Sequence, residues 1–246
     1  MNRNTSNEPI SSPQARYDTL RYVSPEIPCP YLPKQLSRCE AYLVDHLDPT
    51  VYEGMLARGF RRSGHIIYRP RCRTCKECRQ IRIPVRQFVP SRSMRRVWRR
   101  NADVHVEVSD PVPTDDKHAM FQRYLDGQHD DTMSRSYESF CEFLYDSPLC
   151  TREFRYCLGR RLIGVGIADR VRTGLSSVYM YFDPDFSGRS LGTFSVMWEV
   201  NHCRAEGLVH YYLGFYVAGC KTMAYKSRFR PNEVLVGPDR WVSLGV

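Results

Sequence analysis

Three thiols stand at even intervals in Cys72-Arg-Thr-Cys75-Lys-Glu-Cys78. A tight turn with this spacing can bring all three onto one ion. Arg71, Arg73, Lys76 and Arg79 flank them, and nearby cations favour the metal-binding thiolate by lowering its pKa. A tetrahedral site needs a fourth ligand. Cys29, in Pro28-Cys-Pro-Tyr-Leu32, is the choice, with Cys39 in reserve. All-thiolate ligation admits structural zinc or an iron–sulfur cluster, and spacing does not separate them. Cys141, Cys150, Cys157, Cys203 and Cys220 are scattered and read as buried small hydrophobes.

A second constellation follows Asp183. In Tyr179-Met-Tyr-Phe-Asp183-Pro-Asp-Phe-Ser187-Gly-Arg189-Ser-Leu-Gly192 a strand ends in a polar turn and enters a helix. Gly192 in the first turn lets a ligand approach the backbone. Free N–H groups and the helix dipole there favour an anion, and Arg189 could fork onto a phosphate. The plain alternative is an ordinary capped helix with a surface arginine.

The third lies near the C-terminus, in Tyr211-Tyr-Leu-Gly214 and in Lys221-Thr-Met-Ala-Tyr225-Lys226. Helical spacing puts Lys221, Tyr225 and Lys226 near one face, with Gly214 leaving room beside a strand. Aromatics such as Tyr212 could stack a terminal adenosine, or simply line the core. Arg92, Arg95, Arg96, Arg99 and Arg100 form a fourth group, on a segment whose Met94, Val97 and Trp98 make a buried helical stripe. Such a helix can track a nucleic-acid backbone, or present a solvated charged face.

The elements that must hold these groups follow from periodicity and turn residues. Residues 41–47 predict a strand, and Asp48-Pro49 caps a helix that ends at Gly59. Residues 65–68 and 80–88 predict strands, with Pro84 pointing to an edge. A helix over 91–101 and a strand over 104–108 follow. The turn-rich stretch 109–114 is the expected boundary. Helices over 115–127 and 136–145 lead to strands over 153–158, 162–170 and 177–182, joined by hairpin turns. A helix over 190–206, a strand over 209–215 and a short helix at 222–225 close the series. This is an α+β outline, an acetyltransferase-like mixed sheet flanked by helices, with a smaller cysteine-rich N-terminal α+β domain. The expected division is a polar tail over 1–16, the cysteine-rich domain over 17–113 and the transferase domain over 114–246.

Composition agrees with a folded protein: 246 residues, 42% hydrophobic and 26% charged. No apolar run is long enough to span a membrane, and residues 1–16 carry no apolar signal-peptide core. A cytoplasmic protein with reduced cysteines is expected. The formal charge of +9 favours a polyanionic partner.

Together these segments resemble the bacterial, leucyl-transferring branch of the arginyl-tRNA–protein transferase family. The resemblance is carried by Cys29-Pro-Tyr-Leu-Pro33, the Cys72/Cys75/Cys78 knuckle, residues 91–101, Phe182-Asp-Pro-Asp185 with Arg189-Ser-Leu-Gly192, and Tyr212-Leu-Gly214 through Tyr225-Lys226. It implies leucine transfer from leucyl-tRNA to proteins beginning with Asp or Glu, which marks them for N-degron degradation. The donor, leucine or arginine, follows from the resemblance alone. It also implies that Leu32 replaces a second cysteine of the eukaryotic cluster-binding relatives, and that Gln128 replaces an arginine before His129. On this reading the chemistry needs no cofactor. Arg189, Gly192, Tyr212, Gly214 and the arginines of 92–99 take tRNA. Lys221, Tyr225 and Lys226 wall the active site, and Asp183 is a candidate proton acceptor. The rival readings are an acetyl-CoA-dependent N-acetyltransferase and a non-enzymatic zinc-knuckle RNA-binding protein.

Overall fold

The computed structural model of the chain describes residues 21–128 and 133–244. The polar tail expected over 1–16 and the substituted pair's His129 lie outside the described residues.

The chain runs β1 (Arg21–Val23), β2 (Ile27–Pro28), β3 (Leu36–Ser37), β4 (Cys39–Leu43), α1 (Pro49–Leu56), β5 (Arg61–Ser63), β6 (Ile66–Pro70), β7 (Arg79–Pro84), α2 (Arg92–Arg100) and β8 (Val104–Ser109). It continues through α3 (Asp115–Gln128), α4 (Tyr137–Phe140), β9 (Thr151–Leu158), β10 (Arg161–Arg170), β11 (Gly174–Phe182), α5 (Leu191–Ala205), β12 (His210–Tyr216), α6 (Lys221–Ala224), β13 (Glu233–Gly237) and β14 (Arg240–Ser243).

An eight-stranded sheet in the order β14-β13-β7-β12-β11-β10-β9-β8 forms the body. Its pairs are antiparallel except β11 with β12. A parallel pair needs a crossover, and α5 supplies it. β7 and β8 come from the N-terminal side of residue 113, and the other six strands come from its C-terminal side. A four-stranded sheet in the order β1-β4-β6-β5 packs beside the body.

Local chemistry sets the elements. Asp48 accepts from the backbone N–H of Thr50 and Val51 and starts α1. Ser91 does the same for α2 through Met94. Pro84 does not mark an edge: β7 lies between β12 and β13. Proline is tolerated because it ends the strand, where a missing N–H breaks no central ladder. The helix expected over 136–145 loosens instead, with α4 passing into a π-turn over Cys141–Tyr145.

Alternating side chains give the sheet two apolar faces. On one, Ile81, Ile83, Leu175, Tyr211 and Leu213 pack against Phe194, Met197 and Val200 of α5. On the other, Tyr212 joins Tyr52, Leu56 and Ile67 of the small sheet and α1. Beside them Val165, Ile167 and Tyr181 pack under Phe121, Leu125 and Phe140 of α3 and α4. Among the described residues no helix is long and apolar enough to cross a membrane.

Polar contacts fasten the small sheet to the body. Arg62 and Asp169 form an ion pair at 2.9 Å with both side chains wholly buried, and Thr151 donates to the same carboxylate at 2.7 Å. Glu53 of α1 accepts the backbone N–H of Thr173 at 3.1 Å and its hydroxyl.

Candidate active site

β11 and β12 pair only at Gly174–His210, Leu175–Tyr211 and Ser176–Tyr212. Beyond that point β11 stays with β10 and β12 stays with β7, so their carboxyl halves part. A bulge between Tyr212 and Gly214 aids the divergence. Ligands of open sheets bind outside the carboxyl ends of strands where connections change direction.

Arg61 of β5 reaches into this opening. Its guanidinium donates to the Ser176 hydroxyl at 3.0 Å and to the Ser177 carbonyl. It lies over Gly214, whose φ is +89°. The side chain is buried and makes no ion pair among the described residues. Nearby, Lys226 donates to the Phe215 carbonyl at 2.6 Å. Burial, then the Arg61 charge, pulls its ammonium down to about 7. Buried cations are normally paired. Two of them beside an opening, with no carboxylate bonded to either, suit a carboxylate or phosphate.

The start of α5 borders the same end of the sheet. Ser190 adopts the left-handed conformation (φ 57°, ψ 47°) and provides no side-chain cap. A Cβ on Gly192 would meet nothing within 4 Å. The start of α5 thus carries neither a side-chain cap nor a neighbour over Gly192, and a helix start of this kind leaves backbone N–H groups without intrahelical partners.

Arg189 differs from expectation. Its guanidinium forks onto Asp103 at 2.8 and 3.0 Å and donates to the Arg100 carbonyl at 3.1 Å. The turn through Ser190 aims it at α2, so it braces that helix and is not free to fork onto a phosphate. Arg100 returns a bond to the Gly188 carbonyl at 2.6 Å. These contacts dock the arginine helix beside the α5 entrance. Arg92, Arg95, Arg96 and Arg99 all face solvent. Met94 is buried, Val97 half-buried, and Trp98 lies against Phe194 while remaining 37% exposed.

Other expected residues also move. Asp183 caps the turn after β11 and is gripped by Arg123 at 2.9 Å and Arg161 at 2.8 Å. Burial would raise its pKa, but the two guanidinium groups outweigh this and hold it below the ordinary carboxylate range. That makes it a poor proton acceptor. Tyr212 is buried under the small sheet, near Trp241 and Arg82, and cannot stack a base there. The room beside Gly214 belongs to Arg61. Lys221, Tyr225 and Lys226 do not share a face, because α6 tightens into a 3-10 turn at Tyr225. Lys226 turns inward, while Lys221 is exposed and Tyr225 is 40% exposed.

Tyr225 is instead close enough to Tyr124 of α3 for the phenols to act on one another. The Tyr124 ring meets Phe182 at 5.0 Å and Tyr179 at 6.3 Å. An aromatic wall thus borders the opening on its β11 side. Sequence reading missed Arg61 and Tyr124. Arg61 and Arg62 are adjacent arginines in a short strand, and nothing local marks them as buried. Tyr124 follows Met120 and Phe121 on α3, and that helical spacing was the available signal.

The knuckle thiols gather without closing. Burial, then the neighbouring Cys29, Cys72, Cys75 and Cys39, pushes Cys78 up to about 12. The flanking cations do not lower it as expected: burial of the thiol outweighs them. Mutual repulsion of this kind is what a bound cation relieves. Among the described residues, however, no three His, Cys, Asp or Glu side chains stand in an ion-holding arrangement.

Parted parallel strands, an uncapped helix start and two buried cations give this mixed α+β fold an opening suited to an anion. Comparison with known proteins makes this specific. Residues 27–96 match the family described as arginine-tRNA-protein transferase, N terminus, and residues 116–236 match its C terminus. The aspartate/glutamate leucyltransferase of Pseudomonas syringae pv. tomato is 36% identical over 228 residues, covering 91% of this chain and 96% of that protein. The protein of the same name from Hahella chejuensis is 33% identical over the same length and coverage. Among solved structures, FemX is similar with a TM-score of 0.44 and 11% identity, covering 67% of this chain and 59% of that one. The chain belongs to the arginine-tRNA-protein transferase family.

Proposed function

We propose that the protein transfers leucine from leucyl-tRNA to the N-terminal Asp or Glu of acceptor proteins, marking them for N-degron degradation in the cytoplasm. The observation that carries this is the buried pair Arg61 and Lys226 at the parted strands, beside the open start of α5. We read the arrangement as an acetyltransferase-like site adapted to an aminoacyl ester.

In this mechanism the N-terminus of α5 and the arginines of α2 take the phosphates of the tRNA acceptor end. The leucyl side chain lies along the aromatic wall of Tyr124, Tyr179 and Tyr225. The Arg61 guanidinium reads the acceptor's acidic side chain. Lys226 accepts the proton of the attacking α-amine, since a base poised near neutrality is best matched to that task. The amide C–N bond forms as the ester C–O bond breaks. The ribose hydroxyl leaves and takes the proton back from Lys226. Alignment alone can supply roughly 7–11 kcal/mol, so no covalent intermediate is needed. Cys29, Cys72, Cys75 and Cys78 are our candidates for structural zinc or an iron–sulfur cluster, with no part in the transfer.

The test mixes purified protein with radiolabelled leucyl- or arginyl-tRNA and peptides beginning with Asp, Glu, Arg or Ala. Leucine on the Asp and Glu peptides supports the proposal. Arginine on the same peptides would replace the donor. Binding of labelled acetyl-CoA, or tRNA binding without deacylation, would support the rival readings.

A further inference from the structure

The apolar stripe of α2 breaks at its last member. Met94 is buried, but Trp98 stays 37% exposed, although an indole offers more apolar surface to bury than almost any other side chain. Residues of an α-helix turn by about 100° each, so Trp98 borders the arginine face and stands beside Arg95, three positions earlier. α2 carries no acidic residue. Arg92, Arg95, Arg96 and Arg99 make no ion pair among the described residues, so their charge is uncompensated.

The indole is mounted on the core. Its ring centroid lies 5.3 Å from that of Phe194. Phe194 lies 6.0 Å from Tyr156, whose hydroxyl donates to Glu199 at 2.8 Å. Phe194 belongs to the first turn of α5, so the start of that helix is only about 5 Å further along its axis. Arg100, two residues beyond Trp98, donates to the carbonyl of Gly188 in the turn before α5 at 2.6 Å. A rigid aromatic surface thus stands beside a basic face and close to the uncapped helix start.

Positive charge next to an exposed aromatic ring suits single-stranded nucleic acid. Bases inside a duplex are stacked on one another, whereas those of a single-stranded end can be turned onto an aromatic ring. We infer that the exposed indole of Trp98 stacks a nucleobase in the single-stranded 3′ end of the donor tRNA, with Arg95 on a flanking phosphate. The inference rests on the reading that aminoacyl-tRNA is the donor and seats at α5. It divides two tasks along one helix. The arginines supply charge that any RNA backbone satisfies, and Trp98 registers the end that carries the amino acid.

The experiment measures binding of intact tRNA, and of tRNA trimmed of its single-stranded 3′ end, at several salt concentrations. The proteins are the full chain and its Trp98→Phe, Trp98→Leu and Trp98→Ala variants, each first checked by thermal unfolding. Trp98→Ala should weaken intact tRNA about tenfold and leave the slope of log affinity against log salt unaltered, since stacking releases no counterions. Trimming should weaken binding to the full chain but add nothing to the loss already caused by Trp98→Ala. Trp98→Phe keeps a π-face and should retain most of the affinity. Trp98→Leu keeps an apolar cover over Phe194 without a π-face and should behave as Trp98→Ala. In transfer assays the defect should fall on the KM for leucyl-tRNA and not on that for peptide. Trp98→Leu binding as tightly as the full chain would overturn the inference, since the indole would then only pack. So would trimming that weakens every variant equally, since the bases would then be held elsewhere. Failure of the underlying reading shows in the unaltered chain, as no transfer from any aminoacyl-tRNA.

Discussion

The Arg61 guanidinium occupies the space that Gly214 leaves: a Cβ on Gly214 would stand 3.2 Å from Nη2 and 3.3 Å from Cζ. The glycine is also in the left-handed region, which a side chain resists. Gly214→Ala should therefore cost about 1–3 kcal/mol of stability and push Arg61 off its seat. Thermal unfolding should show the first effect. The second should appear as a loss of preference for Asp peptides over Ala peptides, beyond any loss of overall rate.

Lys226 loses its proton near pH 7, and the neutral amine is the form that accepts the nucleophile's proton. Transfer under limiting substrate should thus rise with pH through about 7. Lys226→Met should lower the rate and remove that limb. What remains should follow only the acceptor amine, whose ordinary pKa is about 7.7–8.0. A pH profile of kcat/KM for both proteins, with peptide held limiting, checks this.

Replacing Arg92, Arg95, Arg96 and Arg99 with Gln should weaken tRNA binding and flatten its salt dependence. If all four meet phosphates, the slope of log affinity against log salt should fall by roughly 3–4. Arg189→Ala should act differently. Its partner Asp103 is exposed, so breaking the pair should change stability little, and Asp103→Asn should match it. Titrations at several salt concentrations separate the two behaviours.

Glu199 of α5 accepts from Tyr156 at 2.8 Å and Tyr211 at 2.5 Å inside the core. Burial outweighs these bonds and lifts its carboxyl to about 7, from 4.5. The folded state then holds a proton that the unfolded state has released between those values. Its stabilising contribution is present below pH 4.5 and lost as pH rises through 7. The loss is up to about 3 kcal/mol between pH 5 and 8. Glu199→Gln should remove this part of the stability–pH curve in urea unfolding.

Metal analysis of the purified protein, followed by chelation, tests the thiol cluster. An ion held by Cys29, Cys72, Cys75 and Cys78 should be detected stoichiometrically. Its removal should lower the melting temperature and leave the kcat of the surviving folded protein unchanged.

Much of the body was legible because local chemistry decided it. Asp48-Pro49 and Ser91 start helices by capping, whatever surrounds them, and the α5 segment and its flanking strands follow from periodicity. The site was less legible, because it depends on pairings distant in sequence. Arg189 looks like a phosphate ligand until Asp103, 86 residues earlier, is brought beside it. Lys226 reads as one of three groups on a shared helical face until the helix tightens by a fraction of a turn and turns it inward. Arg61 carries no local sign at all: its role comes from Gly214 and Ser176, which only folding brings to it. The small strands β1, β2, β3 and β5 escaped notice because they are too short for their alternation to register.

Asp169 and Ser176 face one another across β10 and β11, and consecutive arginines of β5 take one each: Arg62 the carboxylate, Arg61 the hydroxyl. The docking contact thus carries two positive charges against one negative, and the surplus falls at the reaction chamber. Severing the chain between its halves would strip Asp169 of its counterion and the chamber of its cation in a single stroke. The stretches that match separately as N and C terminus therefore meet in one buried contact, to which each contributes a side chain the other lacks.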